Sequence, residues 1–351
     1  MKKINVLVLG VGGNVSQGIL KAIAKSSLEC RVIGACVSSE SLGLYFCDRA
    51  YLCPYADSEE FIPWLIDICN EENIDIIFTG VEENVIKISA NVDKIKQETK
   101  SIFVCATYEQ LLIGQNKLKT CEWLKENDCN YPRFAVPENL DAVNLLLEEV
   151  GYPLIAKPIM GKGSLGIIKI TNEVELNDVL KMNGYVIQEY IGDENSEYTV
   201  GCYRDKSERT LDPIIMHRKL KYGTTVKAEI VENDIIKSEA LKIASHFAAE
   251  GPLNIQLRLD KNNRPVCFEL NVRFSGTTPM RAQFGFNDVE AMIKEYVLNQ
   301  DLPEKFNVVK GTSYRYMNEI YFEDNVLDEL KNEGFLDNVK KHKISIDKWG
   351  K

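Results

Sequence analysis

Pro265–Arg281 reads PVCFELNVRFSGTTPMR, and the rest of the chain is organised around it. Taken as a strand, Val266–Arg273 alternates, and a period of two places Glu269, Asn271 and Arg273 on one face. A carboxylate, an amide and a guanidinium side by side form a costly surface unless something charged sits over them. A plain solvent-facing strand carries the same alternation, so the decision rests on what lies opposite. Just upstream, Asn254–Leu259 (NIQLRL) turns through Asp260-Lys-Asn-Asn-Arg-Pro265, residues that favour hairpins. If Leu259 pairs with Val266, Gln256 faces Glu269 and Asn254 faces Asn271. Arg258 joins that face by alternation, and Leu257, Leu259, Phe268 and Leu270 take the other. Oxygen ligands from Gln256, Glu269 and Asn271 beside strong cations suit Mg²⁺ shared with phosphates, because Mg²⁺ takes few protein oxygens.

Phosphate-binding elements are expected upstream of this hairpin. Strand Leu154–Lys157 leads into Gly161-Lys162-Gly163-Ser164-Leu165-Gly166 and then strand Ile167–Ile170. A glycine loop between two strands is neither a Walker loop nor a dinucleotide turn, yet its backbone N–H groups can turn toward phosphate oxygens. A plain flexible hairpin would read the same way. Lys157, just ahead of the loop, adds a point charge. Tyr185–Ile191 (YVIQEYI) is an apolar strand interrupted by Gln188 and Glu189. Polar groups there need partners, and an adenine edge would supply them.

The first 112 residues alternate strand and helix, as an open parallel sheet does. Asn5–Leu9 reads as a buried strand, and Gly10-Val-Gly-Gly-Asn14 as a glycine turn before a helix from about Ser16 to Lys25. The third glycine of the dinucleotide fingerprint is absent and no acid closes the next strand, Cys30–Val37, so the turn suits tight packing better than NAD. Further strands are expected at Asp75–Thr79 and Ile102–Ala106, with Asp48–Tyr51 in a loop. Glu82 and Glu83 fall at a strand's carboxyl end, where a helix N-terminus also favours them.

Composition narrows the function classes. A chain of 351 residues is long for one core and suggests two or three lobes. The formal charge of −10 argues against a nucleic-acid footprint. Ten cysteines without a C-x-x-C pair, and three histidines, do not form a structural zinc pattern. No apolar run is long enough to span a membrane. The N-terminus runs into a glycine turn rather than a secretory signal, so a cytoplasmic location is expected.

Lys117, Lys157 with Gly161–Gly166, Gln188-Glu-Tyr-Ile191, Glu197, Gln256 and Glu269-Leu-Asn-Val-Arg273 occur in an order and spacing that resembles the ATP-grasp superfamily. The likeness is to its carbamoyl phosphate synthase and amino-acid ligase branch. It implies an α/β and α+β chain: a Rossmann-like preATP-grasp lobe (1–112), then a two-lobed ATP-grasp domain (113–300, lid lobe about 130–190). It also implies roles. Lys117 and Lys157 hold ATP phosphates, and Gly161, Lys162, Gly163, Ser164 and Gly166 form the lid. Gln188, Glu189, Tyr190 and Ile191 surround adenine, and Glu197 takes the ribose. Gln256, Glu269 and Asn271 hold two Mg²⁺ ions (Mn²⁺ as a substitute), and Arg273 serves the phosphoryl group in transit. Where carbamoyl phosphate synthase continues Asn-Pro-Arg-x-Ser-Arg, this chain has Asn271-Val-Arg273-Phe-Ser-Gly276, and its length excludes that enzyme itself.

The expectation is therefore an ATP- and Mg²⁺-dependent carboxylate–amine ligase for an amino acid or small carboxylated metabolite, with Arg258 and Arg281 gripping a substrate carboxylate. An ATP-binding sensor without turnover is the alternative, and an NAD-dependent reductase a third reading. Residues 301–351, with a strand at Ser313–Phe322, would cap the cleft or make a subunit contact, as in a homodimer.

Overall fold

The computed structural model describes residues 3–346 except 162, 164, 194, 323, 324 and 343. Strands β1 (Ile4–Leu9), β2 (Cys30–Cys36), β3 (Arg49–Leu52) and β4 (Ile76–Thr79) pair in parallel in the order β3-β2-β1-β4. The apolar run of β1 is buried on both faces because helices cover the sheet on either side. Two expectations change here. Residues 49–52 form a strand rather than a loop, since Ala50 and Tyr51 are buried and Glu72 takes the Arg49 guanidinium at 2.6 Å. Ile102–Ala106 contributes only one bridge, Ile102 to Ile76. The chain then departs into helix Tyr108–Gln115, which Thr107 and Gln110 close with a reciprocal capping box.

A small lobe follows. Strands β5 (Phe134–Ala135), β6 (Leu154–Pro158), β7 (Ile168–Ile170) and β8 (Tyr185–Glu189) form an antiparallel sheet in the order β5-β8-β6-β7. One face packs on helices Leu140–Val150 and Glu173–Val179 around a separate core that includes Val143, Leu146, Leu154, Leu176 and Ile187, and the other, with Ile155, Lys157 and Gln188, faces a cavity. The lobe thus has a hydrophobic core of its own.

The third sheet is six-stranded: β9 (Glu197–Arg204), β10 (Ile214–Lys221), β11 (Thr224–Ile230), β12 (Gly251–Leu259), β13 (Pro265–Asn271) and β14 (Thr312–Tyr314), in the order β13-β12-β9-β10-β11-β14. The expected single strand over Ser313–Phe322 is split. Residues 312–314 pair with β11, whereas Ile320–Phe322 pairs with Ile344–Ile346. Between them Arg315 donates to the carbonyls of Thr225 (3.1 Å) and Gly276 (2.7 Å), which turns the chain off the sheet edge. Phe335–Leu336 then returns to the N-terminal sheet, antiparallel to β3. Among the described residues no helix is long and apolar enough to cross a membrane.

The β12–β13 ladder holds Asn254 opposite Asn271 and Gln256 opposite Glu269, as the hairpin argument requires. Beyond that point the register slips by one: Leu257 faces Cys267, Arg258 faces Val266 and Leu259 faces Pro265. The extra residue is Phe268, a β-bulge. Its consequence is a correction. Phe268 was expected on the core face with Leu257 and Leu270, but the bulge turns its ring to the polar side.

Candidate active site

A cavity of about 530 Å³ lies where the three sheets converge, and the polar face of the β12–β13 hairpin is its floor. Lys157 reaches it from the end of β6, and Lys117 from the first position of helix Lys117–Glu126. The Asn116 side chain caps that helix by accepting from the Lys119 N–H. The Lys117 backbone N–H donates to the Ile159 carbonyl at 3.0 Å, which ties the helix start to the end of β6 and brings the two lysines together. Lys117 Nζ donates to the Gly161 carbonyl at 2.9 Å, so it already touches the glycine loop. Gly161, Gly163 and Gly166 adopt positive φ, and Gly163 packs so closely on Gly223 that a Cβ at Gly223 would lie 2.6 Å from the Gly163 oxygen. Lys162 and Ser164 lie outside the described residues.

The buried Lys157 ammonium sits 4.8 Å from the centre of the bulged Phe268 ring. Burial pulls its pKa down to about 8, against the upward effect of Cys121 and Glu269 and with Arg258 and Lys117 adding to the fall. Lys117 is lowered too, by burial, with Glu269 and Glu82 opposing.

From the small lobe β8 supplies Gln188 and Glu189, followed by Tyr190 and Ile191, all lining the cavity. The fully buried Gln188 donates from Nε2 to Cys121 Sγ at 3.0 Å, and its Oε1 has no hydrogen-bond partner within the protein. That orphan acceptor is the group an exocyclic amine would satisfy. Glu189 accepts from the Arg133 N–H at 3.3 Å, and its own N–H donates to the Arg133 carbonyl at 2.8 Å.

Glu197 is more tightly held than its expected role suggests. Arg218 donates to its Oε1 (2.6 Å) and Arg258 to its Oε2 (2.7 Å). Burial would raise this carboxyl, but the two guanidinium groups overcome it and hold the pKa below the usual carboxylate range. Arg258 also donates to the Ile191 carbonyl at 3.3 Å, so its guanidinium is engaged on both sides, by Glu197 and by the segment that follows β8.

The three residues expected to hold metal lie side by side, and each is already hydrogen-bonded within the protein. Glu269 Oε1 accepts from Gln256 Nε2 at 3.0 Å and Asn271 Nδ2 at 2.9 Å, while Gln256 Oε1 accepts from Arg218. Glu269 and the Asn271 oxygen therefore fit a hard divalent ion, whereas the oxygen Gln256 would contribute is already given to Arg218. Arg273 lines the cavity, donates to the Phe274 carbonyl at 2.9 Å and lies 3.6 Å from Glu82.

Arg281 does not belong to this constellation. Its side chain is completely buried and pairs with the equally buried Asp288 at 2.5 Å, away from the cavity. A surface or substrate-facing position was expected. The short helix Thr278–Gln283 instead turns Arg281 inward against β9, where a Cβ on Gly201 would lie 2.8 Å from Nη1. Truncating Arg281 to alanine is expected to destabilise the fold by about 3–5 kcal/mol, because it strands a buried carboxylate. Urea denaturation measures this, and Mg-ATP affinity of the folded fraction should stay near that of the unaltered protein. A large loss of affinity without a loss of stability would return Arg281 to the site.

Sequence reasoning passed over Arg218, Asn254 and the Gly13–Ser16 turn as site residues, although all line the cavity. Arg218 had a readable signal. It shares strand parity with the buried Ile214 and Met216, and a charge on an apolar face needs a partner. At Gly13–Ser16 the Ser16 hydroxyl donates to the Leu9 carbonyl (2.8 Å) and accepts from the Gly80 N–H (2.9 Å), joining the ends of β1 and β4 beside the cavity.

A Rossmann-like sheet, a small four-stranded lobe and a six-stranded antiparallel sheet around a shared cavity define an ATP-grasp fold. Residues 181–320 match the family described as ATP-grasp in the biosynthetic pathway with Ter operon, and residues 6–103 match the PylC-like N-terminal domain. The chain thus carries an ATP-grasp domain behind a PylC-like N-terminal domain. Among solved structures, N5-carboxyaminoimidazole synthetase from Staphylococcus aureus complexed with ADP superposes with a TM-score of 0.70 at 18% identity, covering 95% of this chain and 86% of that one. The biotin carboxylase ATP-analogue complex from Campylobacter jejuni gives 0.68 at 18% identity, covering 88% and 74%. The MgADP- and bicarbonate-bound biotin carboxylase domain of the Hydrogenobacter thermophilus 2-oxoglutarate carboxylase gives 0.65 at 15% identity, covering 85% and 70%. At such identities the likeness is one of fold.

Proposed function

We propose that the protein is an ATP- and Mg²⁺-dependent carboxylate–amine ligase that works through an acyl phosphate, on an amino acid or another small carboxylated metabolite. The observation that carries this reading is the convergence of Lys117, Lys157, the glycine loop and the Glu269–Asn271–Arg273 floor in one cavity. Structural neighbours with ADP, or with MgADP and bicarbonate, support it.

In this reading Gln188 Oε1 accepts from the adenine amine, and Glu197, held rigid by its two arginines, accepts from the ribose. Lys117, Lys157 and the loop N–H groups grip the phosphates. Glu269 and Asn271 would hold Mg²⁺, with the two-ion complement implied by the family resemblance; when bound it neutralises charge across the phosphates. A substrate carboxylate oxygen bonds to the γ-phosphorus as the bond to the ADP oxygen breaks, with Arg273 taking the charge in transit. The amine then attacks the acyl carbon, phosphate leaves, and a proton is lost from nitrogen. Every protein contribution is positioning or charge.

The test is ADP release with a panel of amino acids and simple carboxylates, each with and without an amine partner. At least one pair should raise ADP well above background. No stimulation by any pair, with Mg-ATP bound tightly throughout, would leave a binding protein in place of a ligase.

A further inference from the structure

Of the arginines on the cavity wall, two are locked. Arg218 and Arg258 grip the buried Glu197 at 2.6 and 2.7 Å. Arg273, the residue the proposed reaction needs at the γ-phosphate, is held loosely and by the wrong partner. Its Nη2 lies 3.6 Å from Glu82, beyond hydrogen-bond length, and the two side chains remain 16% and 25% exposed. Its Nη1 is occupied by the Phe274 carbonyl at 2.9 Å.

Glu82 comes from the other side of the cleft. It opens helix Glu82–Ser89 directly after β4, so the pair bridges the N-terminal sheet and the end of β13. Both side chains line the cavity. The carboxylate also acts on Lys117, raising a pKa that burial lowers. Glu82 therefore exerts its charge on two phosphate-handling cations without contributing to the metal cluster. A long, partly exposed ion pair is weak and exchangeable, whereas the Glu197 pairs are not.

Resting on the ligase reading, we propose that Glu82 is an acceptor-sensing residue. It restrains Arg273 until an ammonium group of the substrate takes over its carboxylate, which frees Arg273 to swing to the transferring phosphoryl group. The substrate class follows: the cleft takes an ammonium-bearing molecule, an amino acid rather than a simple carboxylic acid. Coupling follows as well. With the cleft empty, water is poorly served as a nucleophile, because its attack on the γ-phosphorus, with cleavage of the bond to ADP, meets a site lacking its arginine.

The experiment is ADP formation by the full chain with Mg-ATP and no acceptor. Glu82→Gln should raise this background about fivefold, near the most a partly exposed pair supplies. Glu82→Asp, which keeps the charge, should stay close to the unaltered protein. In the unaltered protein, methylammonium chloride should raise background ADP release relative to potassium chloride at equal ionic strength, and in Glu82→Gln it should not. A Glu82→Gln background at or below that of the unaltered protein overturns the proposal. So does indifference to methylammonium, a measurement that needs no folded variant. Calorimetric Mg-ATP binding, and loss of ADP formation in Glu269→Ala, report on the ligase reading itself, so its failure is seen separately.

Discussion

Replacing Glu269 with alanine is expected to slow ADP formation by on the order of a thousandfold while changing nucleotide affinity by less than about tenfold. The split follows from what the carboxylate does in the structure. Glu269 Oε1 is the common acceptor for the Gln256 and Asn271 amides, so its removal dissolves the floor on which an ion and the phosphates would be aligned. Its charge also faces Lys117 and Lys157, whose pKa values it raises. Without it the cavity becomes more positive, which favours binding a polyanion even as the geometry for transfer is lost. Glu269→Gln should retain the amide hydrogen bonds and the fold, yet be almost as slow, because an amide cannot supply the charge. Stopped-time ADP assays across a magnesium titration check this: the unaltered protein should saturate, and both variants should lose the dependence. Normal ADP formation in Glu269→Ala would remove the metal role from this strand.

The alternation of Glu269, Asn271 and Arg273 and the opposed Gln256 were legible because strand periodicity and a short hairpin leave little freedom in register. The Rossmann-like sheet was legible for a related reason, since runs such as Asn5–Leu9 are apolar on both faces. What escaped was decided by single residues or by contacts remote in sequence. The bulge at Phe268 adds one residue to one strand, and no pattern of hydrophobicity announces it, yet it puts an aromatic face under Lys157. Arg258 and Arg218 could be read as charges but not as the two jaws on Glu197, because their partner lies on another strand. Arg281 looked available in sequence; only the fold of Thr278–Gln283 against β9 shows it buried on Asp288. The Glu82–Arg273 pair joins two sheets and is invisible before they are assembled.

Nucleotide binding is expected to take up protons above pH 8. Lys157 is buried over the Phe268 ring, and the penalty for charge there outweighs the pull of Cys121 and Glu269, bringing its pKa down to about 8 from the 10.5 of a free lysine. Because the folded value is the lower one, the nucleotide-free fold disfavours the ammonium. This destabilisation is full below pH 8, fades as pH rises from 8 to 10.5, and is absent above it. Phosphate reverses the preference, since a bound polyanion stabilises the ammonium and lifts its pKa. Below pH 8 the lysine is already charged, and binding exchanges no proton with it. Above pH 8 each binding event must recharge it, so ATP affinity should fall by up to about tenfold per pH unit until the bound-state pKa is reached. Calorimetry in two buffers of different ionisation heat reads this as net proton uptake near pH 9 and almost none near pH 6.5. Lys157→Arg should remove most of the uptake, because a guanidinium stays charged over this range, leaving only what the lowered Lys117 adds. Lys157→Met should remove the same share and weaken binding about 10- to 100-fold, the worth of a charge-assisted hydrogen bond. An ATP affinity that stays level from pH 7 to 9.5 in the unaltered protein would mean that Lys157 does not meet the phosphates, and the cavity would have to be read with the nucleotide in another orientation.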